Sequence, residues 1–111
     1  MTRLLDVGMA LTARGYPPGS DDDLSLTVVD PMLRHNNRAM RLRVTDGVAE
    51  IAAERESALR IDVGTLAALY TGWLHPLDAA RMGRLEGAAP HHVAALARLF
   101  SGPQPWLVEA V

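Results

Sequence analysis

The apolar positions of this chain follow two periods, and the switch between them near residue 63 outlines its architecture. From Leu24 to Val29 they alternate. Leu24, Leu26 and Val28 fall on one side and Ser25 and Thr27 on the other, as in a half-buried strand. Asp30-Pro31 ends that strand, and Arg34-His35-Asn36-Asn37 reads as a polar turn. Asp46-Gly47 is a dipeptide suited to a two-residue hairpin turn, which needs positive φ. Counting outward pairs Thr45 with Val48, Val44 with Ala49, Arg43 with Glu50, and Leu42 with Ile51. One face then carries an apolar pair and the other an opposite-charge pair, so turn chemistry and register agree. A further strand is expected over Ala58–Val63, with Leu59, Ile61 and Val63 inward and Arg60 outward.

Beyond it the period becomes helical. Leu66, Leu69, Tyr70 and Trp73 fall at i, i+3, i+4 and i+7, a single apolar stripe closed by Gly72. A second helix is expected over Pro76–Arg84, with proline in its first turn. A third opens at Pro90, carries Val93, Leu96, Ala97 and Phe100, and stops at Gly102-Pro103. At the other end, Arg3–Asp6 reads as a short strand. Asp6 then caps a helix with Val7, Ala10 and Leu11 on its apolar side, stopped by Gly15 and Pro17-Pro18. Strands grouped ahead of helices, without βαβ alternation, predict an α+β fold. The expected architecture is one domain over residues 1–111, a mixed or antiparallel sheet of about five strands packed against about four helices.

Composition narrows the function classes. A net charge of −2 argues against a nucleic-acid partner, which calls for a concentrated basic surface. All 11 basic residues are arginine, a compositional habit more than a phosphate-binding device. The absence of cysteine removes disulfides and thiolate chemistry and fits a reducing cytoplasm. No apolar run is long enough to span a membrane.

Candidate chemistry is sparse. His91 and His92 are adjacent, so on a helix they point about 100° apart and cannot both ligate one ion. His35 and His75 stand alone in expected loops, and no metal-ligand spacing joins any of the four. Asp21-Asp22-Asp23 lacks the glycine and distal glutamate of a calcium loop and reads as a solvated loop. Arg84-Leu85-Glu86-Gly87-Ala88-Ala89 matches R-x-x-G-x-A, the form of an acetyl-CoA pyrophosphate loop. Such a loop needs a strand before it, to aim successive backbone N–H groups at the pyrophosphate, and here a helix is expected. Ser20, Ser25, Ser57 and Ser101 have no evident base. The chain on its own is not expected to be an enzyme.

Several segments match a known family. Leu4-Leu5-Asp6-Val7, Ala10-Leu11 and Ala13-Arg14 are similar to its L-L-D-V-x-x-A-L-x-A-R. Asp30-Pro31, Leu33 and Asn36 resemble its D-P-x-L-x-x-N turn. Asp62-Val63, Leu66, Ala68-Leu69-Tyr70 and Gly72 resemble D-V-x-x-L-x-A-L-Y-x-G, the most specific of these elements. Gly83-Arg84-Leu85, Leu96 to Phe100 and Pro105-Trp106 follow in order. The family is the C-terminal, sterol-carrier-protein-like domain of acetyltransferases of the enhanced-intracellular-survival type, which belong to the GNAT class. This sequence carries Arg38 and Met40 where the family has a glycine and an aromatic, and ends in Ala110-Val111 where it has an aromatic pair.

The resemblance implies a non-catalytic domain that follows two GNAT-like domains and helps to form a homohexamer. It also implies that the C-terminal carboxylate, here that of Val111, serves as general base in the catalytic site. Acetyl-CoA would bind in the GNAT portion, upstream or in trans, and this chain would hold no cofactor and no metal. The rival expectation is a stand-alone carrier of a lipid, acyl or other apolar ligand. In it Leu66, Leu69, Tyr70, Trp73, Val93, Leu96, Phe100 and Trp106 would line a pocket between sheet and helices. Plain core packing is the more economical use of those stripes.

Overall fold

The computed structural model describes residues 6–101. The elements run in the order α1 (Val7–Ala13), β1 (Asp22–Val29), a single 3-10 turn (Arg34–Asn36), β2 (Ala39–Thr45), β3 (Val48–Ala53), β4 (Arg60–Asp62), α2 (Val63–Tyr70), α3 (Pro76–Arg81) and α4 (Pro90–Leu99). Among the described residues four strands form one mixed sheet, in the order β3-β2-β1-β4, with β1 antiparallel to β2 and parallel to β4. The architecture is α+β with four helices, one strand fewer than the sequence predicts. The fifth strand expected, over Arg3–Asp6, falls mostly outside the described residues, and Asp6 itself is the N-cap of α1.

The hairpin forms in the expected register, with Thr45 opposite Val48, Val44 opposite Ala49, Arg43 opposite Glu50 and Leu42 opposite Ile51. Asp46 and Gly47 take φ of 47° and 78°, as the tight turn requires. The Arg43 guanidinium, however, lies 3.8 Å from Asp23 on the neighbouring strand β1, where Asp23 also holds Arg41 in a bidentate pair. The inward residues of the sheet, Leu24, Leu26, Val28, Met40, Leu42, Val44, Ala49 and Ile61, are all buried. Helix α1 packs on β3, α4 on β1, α2 beside β4, and α3 against α4.

Three elements end earlier than the sequence suggests; one is α3, expected to reach Arg84, which stops at Arg81 because Met82 caps it and Gly83, at φ of 75°, turns the chain. The strand expected over Ala58–Val63 is only Arg60–Asp62, because Asp62 accepts from the Thr65 N–H (3.0 Å) and so starts α2 at Val63. Helix α2 in turn stops at Tyr70. The Gly72 N–H bonds the Leu69 carbonyl (3.2 Å) and the Leu74 N–H bonds the Ala68 carbonyl (3.2 Å), which reverses the chain at the helix end. Leu74 is turned in against the core, and Trp73 is left 85% exposed. The apolar stripe therefore consists of Leu66, Leu69 and Tyr70 without Trp73.

The D-P-x-L-x-x-N segment ties the connection between β1 and β2 to the start of α1. Asp30 accepts from the Met32 and Leu33 N–H groups (both 3.0 Å) and from Asn36 Nδ2 (3.0 Å). Asn36 Oδ1 then accepts the Val7 N–H (2.9 Å), one of the donors that a helix leaves unpaired in its first turn. Both side chains are buried, so each bond replaces one that water cannot supply.

Candidate functional site

The expected pocket residues separate into three groups. Leu66, Leu69, Tyr70 and Leu96 are buried in the hydrophobic cluster, and Val93 and Phe100 pack half-buried against it. Trp73 lies on the surface. Trp106 and the Val111 carboxylate lie outside the described residues. What the structure does describe is a platform at the end of α4, formed by Leu99, Phe100 and Ser101.

That platform is organised by Arg14. It is the C-cap of α1 and only 5% exposed. Its Nη1 donates to the carbonyls of Gly15 (3.1 Å) and Leu99 (3.3 Å), the latter being the last residue of α4. The guanidinium carbon lies 5.4 Å from the Tyr16 ring centroid, 5.7 Å from that of Tyr70 and 5.1 Å from that of Phe100. The two phenols turn their hydroxyls back onto α1, Tyr16 to the Leu11 carbonyl (2.7 Å) and Tyr70 to the Ala10 carbonyl (3.2 Å). Arg14 Nε is buried without a hydrogen-bond partner among the described residues.

The electrostatics of this arrangement follow from its parts. A helix C-terminus carries about half a negative charge, and Arg14 sits where the ends of α1 and α4 converge. Ring faces add attraction of about 0.5–2 kcal/mol each where the cation is desolvated. Burial pulls the Arg14 guanidinium below its ordinary pKa, and the two tyrosines partly offset this. Burial likewise pushes the Tyr16 phenol above its usual range, with Arg14 opposing. An arginine stays protonated in proteins, so the group is suited to binding and orienting carbonyls and unsuited to proton transfer. The sequence offered one signal for it, the motif position Ala13-Arg14 two residues before Tyr16. Its burial was not legible, since arginines are seldom inside unless paired.

The other candidates resolve into structural roles. Each acid of the Asp21-Asp22-Asp23 run has its own partner, so the segment is a set of ties where a solvated loop was expected. Asp21 accepts the Asp46 N–H at the hairpin turn (2.9 Å), Asp22 forms a bidentate pair with Arg98 of α4 (2.7 and 3.2 Å), and Asp23 holds Arg41. The side-chain hydrogen bond from Arg41 is the main cause that keeps the Asp23 carboxyl below its ordinary pKa. An open cleft of about 430 Å³ lies beside the Asp22–Arg98 pair, lined by Pro17, Gly19, Ser20, Asp21 and Ser101. His75 and His92 are helix caps. His75 Nδ1 accepts the Leu77 N–H (3.0 Å), and His92 Nδ1 accepts the Ala89 N–H (2.8 Å). Desolvation, with His91 adding to it, holds His92 below its ordinary pKa.

Gly87, the glycine of the R-x-x-G-x-A match, has a packing reason of its own. Its φ is 72°, and a Cβ placed there would lie 2.0 Å from the Ala58 carbonyl oxygen. This close approach lets Glu86 pair with Arg60 through two backbone bonds of 2.8 and 3.1 Å at the outer edge of β4. Among the described residues no group of three or more His, Asp or Glu side chains could hold a metal ion. No described helix is long and apolar enough to cross a membrane.

Comparison with known proteins agrees with this architecture. Residues 7–108 match the family described as the sterol carrier protein domain. An uncharacterized N-acetyltransferase of Streptomyces avermitilis is 37% identical over 94% of this chain, which covers 25% of that protein. Among solved structures, a GCN5-related N-acetyltransferase from Anabaena variabilis superposes with a TM-score of 0.85 at 34% identity over 94% of this chain and 26% of its own. One from Kribbella flavida gives 0.81 at 34% identity, over 93% of this chain and 26% of its own. Eis1 from Mycobacterium abscessus gives 0.70 at 28% identity, over 91% of this chain and 25% of its own. The chain thus spans about a quarter of the length of the relatives it matches.

Proposed function

We propose, from the premise that this chain belongs to the sterol carrier protein domain family, that it serves as the non-catalytic C-terminal module of an N-acetyltransferase. The observation that carries the proposal is the pairing of coverage. Nearly all of this chain matches N-acetyltransferases, yet it accounts for only about a quarter of each. A domain that recurs as one part of longer enzymes is built to work against another part. In this reading acetyl-CoA and the acetyl acceptor bind in a GNAT portion, and the present domain contributes structure and its C-terminal carboxylate.

The chemistry of that contribution is simple. Acetyl transfer to an amine needs the ammonium to lose a proton. Its nitrogen then attacks the thioester carbonyl, the C–N bond forms, the C–S bond breaks, and CoA leaves as a thiolate that takes a proton from solvent. A carboxylate within hydrogen-bond reach can accept the ammonium's proton, and general base catalysis of this kind contributes about 10²–10⁴-fold. The Val111 carboxylate would take this role. Trp73 at 85% exposure, together with the exposed Leu77 and Met82, offers apolar surface for contact with the GNAT portion or with other copies in a homo-oligomer. The carrier alternative has less support, since Leu66, Leu69, Tyr70 and Leu96 belong to one buried cluster.

Kinetics with acetyl-CoA and an amine test the proposal. The 111-residue chain alone is expected to transfer no acetyl group. Fused behind a GNAT portion it is expected to support turnover. Removing Val111 withdraws the carboxylate by about 3.5 Å and should lower kcat by about 10²–10⁴-fold. Transfer by the isolated chain, or an unchanged kcat without Val111, overturns the reading.

A further inference from the structure

We infer that the outer edge of β3 is where two copies of this chain pair, joining their sheets into one antiparallel sheet across a two-fold axis at Ile51, whatever the role of the Val111 carboxylate. Hydrogen bonding in an antiparallel pair alternates along the strand, so the phase of the hairpin fixes which groups of β3 face outward. The Val28 N–H bonds the Arg38 carbonyl (3.0 Å), which assigns the even-numbered residues of β2 to β1 and the odd-numbered ones to β3. Opposite those odd positions, Arg41, Arg43 and Thr45, lie Ala52, Glu50 and Val48. These three therefore use their backbone groups on β2, and the N–H and C=O groups of Ala49, Ile51 and Ala53 point away from the sheet. Among the described residues nothing receives them. The open stretch begins at Ala49, because the Tyr16 N–H already takes the Gly47 carbonyl (3.4 Å).

The edge carries none of the usual defences against pairing. β3 runs for six residues, Val-Ala-Glu-Ile-Ala-Ala, with no proline and no basic side chain. The opposite edge differs, since β4 has three residues and Glu86 closes it through two backbone bonds with Arg60. The described sheet thus has one open edge, and pairing edge to edge stops at two copies. Charge selects the register. With Ile51 on the axis, Ala49 pairs with Ala53 of the second copy, and Glu50 lies opposite Ala52 of the second copy. One step toward the turn would set Glu50 against Glu50, and one step away would set it against Glu54, both like-charge contacts. Beside the edge, α1 and β3 border a largely apolar cleft of about 450 Å³, lined by Gly8, Met9, Thr12, Ala13 and Ile51, with Met9 63% exposed. Ile51 of the second copy would lie at its mouth. A strand added to an edge takes affinity from main-chain bonds and specificity from side-chain pockets of this kind.

Sedimentation and residue-resolved amide exchange of the 111-residue chain, both followed against concentration, test the inference. The chain is expected to sediment as a dimer at high concentration. The amides of Ala49, Ile51 and Ala53 should then slow by about tenfold or more, while those of Val48, Glu50 and Ala52 stay protected at every concentration. Ala53→Pro removes an outward N–H without touching the β2 ladder, and should give a monomer with unchanged circular dichroism. Ala52 covers the case in which that variant does not fold, because the register sets it against Glu50 of the second copy. Ala52→Glu should weaken the dimer and Ala52→Lys should strengthen it, each by about 2–10-fold at low salt. A chain that stays monomeric, or a dimer in which Ala49, Ile51 and Ala53 exchange freely, overturns the inference. Protected edge amides without opposite responses in the two Ala52 variants overturn the register at Ile51. Protection that appears only when a GNAT portion is fused to the chain overturns the second copy as occupant and assigns the edge to a strand of that portion.

Discussion

Replacing Gly87 by alanine separates a structural glycine from a phosphate-binding one. The new Cβ would sit 2.0 Å from the Ala58 carbonyl oxygen and 3.0 Å from its carbon, with nothing flexible between them to yield. Relief requires a backbone movement of about 1 Å, enough to open the two Arg60–Glu86 hydrogen bonds, each worth about 0.5–1.5 kcal/mol. Holding alanine at φ of 72° adds about 1–2 kcal/mol. The combined loss comes to about 2–5 kcal/mol, a fall in Tm on the order of 10–30 °C for a domain of this size. Gly83→Ala is the internal control. Its φ is 75° and nothing lies within 4 Å of the added Cβ, so only the conformational cost of about 1–2 kcal/mol applies. Urea and thermal unfolding of both variants, followed by circular dichroism, measure the difference. If Gly87→Ala is no less stable than Gly83→Ala, the close approach to Ala58 is not what requires glycine. A stable Gly87→Ala protein with weakened acetyl-CoA binding would restore the pyrophosphate-loop reading.

Asn36→Ala removes the acceptor for the buried Val7 N–H and the donor to Asp30, and should cost about 2–4 kcal/mol in urea unfolding, with amide exchange fastest in α1. The His92 cap needs a neutral Nδ1, and its folded pKa lies below the ordinary value, so the stability it supplies is present above about pH 6.5 and is lost as pH falls through the folded pKa. Hydrogen exchange at Ala89 and Val93 should therefore quicken, once corrected for its intrinsic pH dependence, between neutral pH and about pH 5, and His92→Gln should abolish that dependence.

Part of this molecule could be read from short stretches of chain. The hairpin register came from two residues, Asp46 and Gly47, because turn sterics and the alternation of apolar positions act within a few residues of one another. The Asp6 cap, the alternation of β1 and the helix starts at Pro76 and Pro90 are legible for the same reason. The departure of Trp73 from its stripe shows where a period misleads. Apolar spacing continues past the point at which the backbone bonds of Gly72 and Leu74 have already turned the chain.

The site itself was not legible, because its parts are distant in sequence. Arg14 meets Leu99 across 85 positions, and Tyr70 reaches Ala10 across 60. Taken alone, Arg14 is a charged residue after a short helix, with every expectation of facing water. Only the convergence of α1, α2 and α4 surrounds it with three rings and brings the α4 carbonyl end to its guanidinium. The same holds for Gly87, whose requirement is set by Ala58 on another segment, and for the parallel pairing of β4 with β1. Local chemistry determined which elements form and how the hairpin aligns. Tertiary packing decided which charge is buried and which carbonyl it holds, since desolvation and hydrogen-bond partners are properties of assembled neighbours.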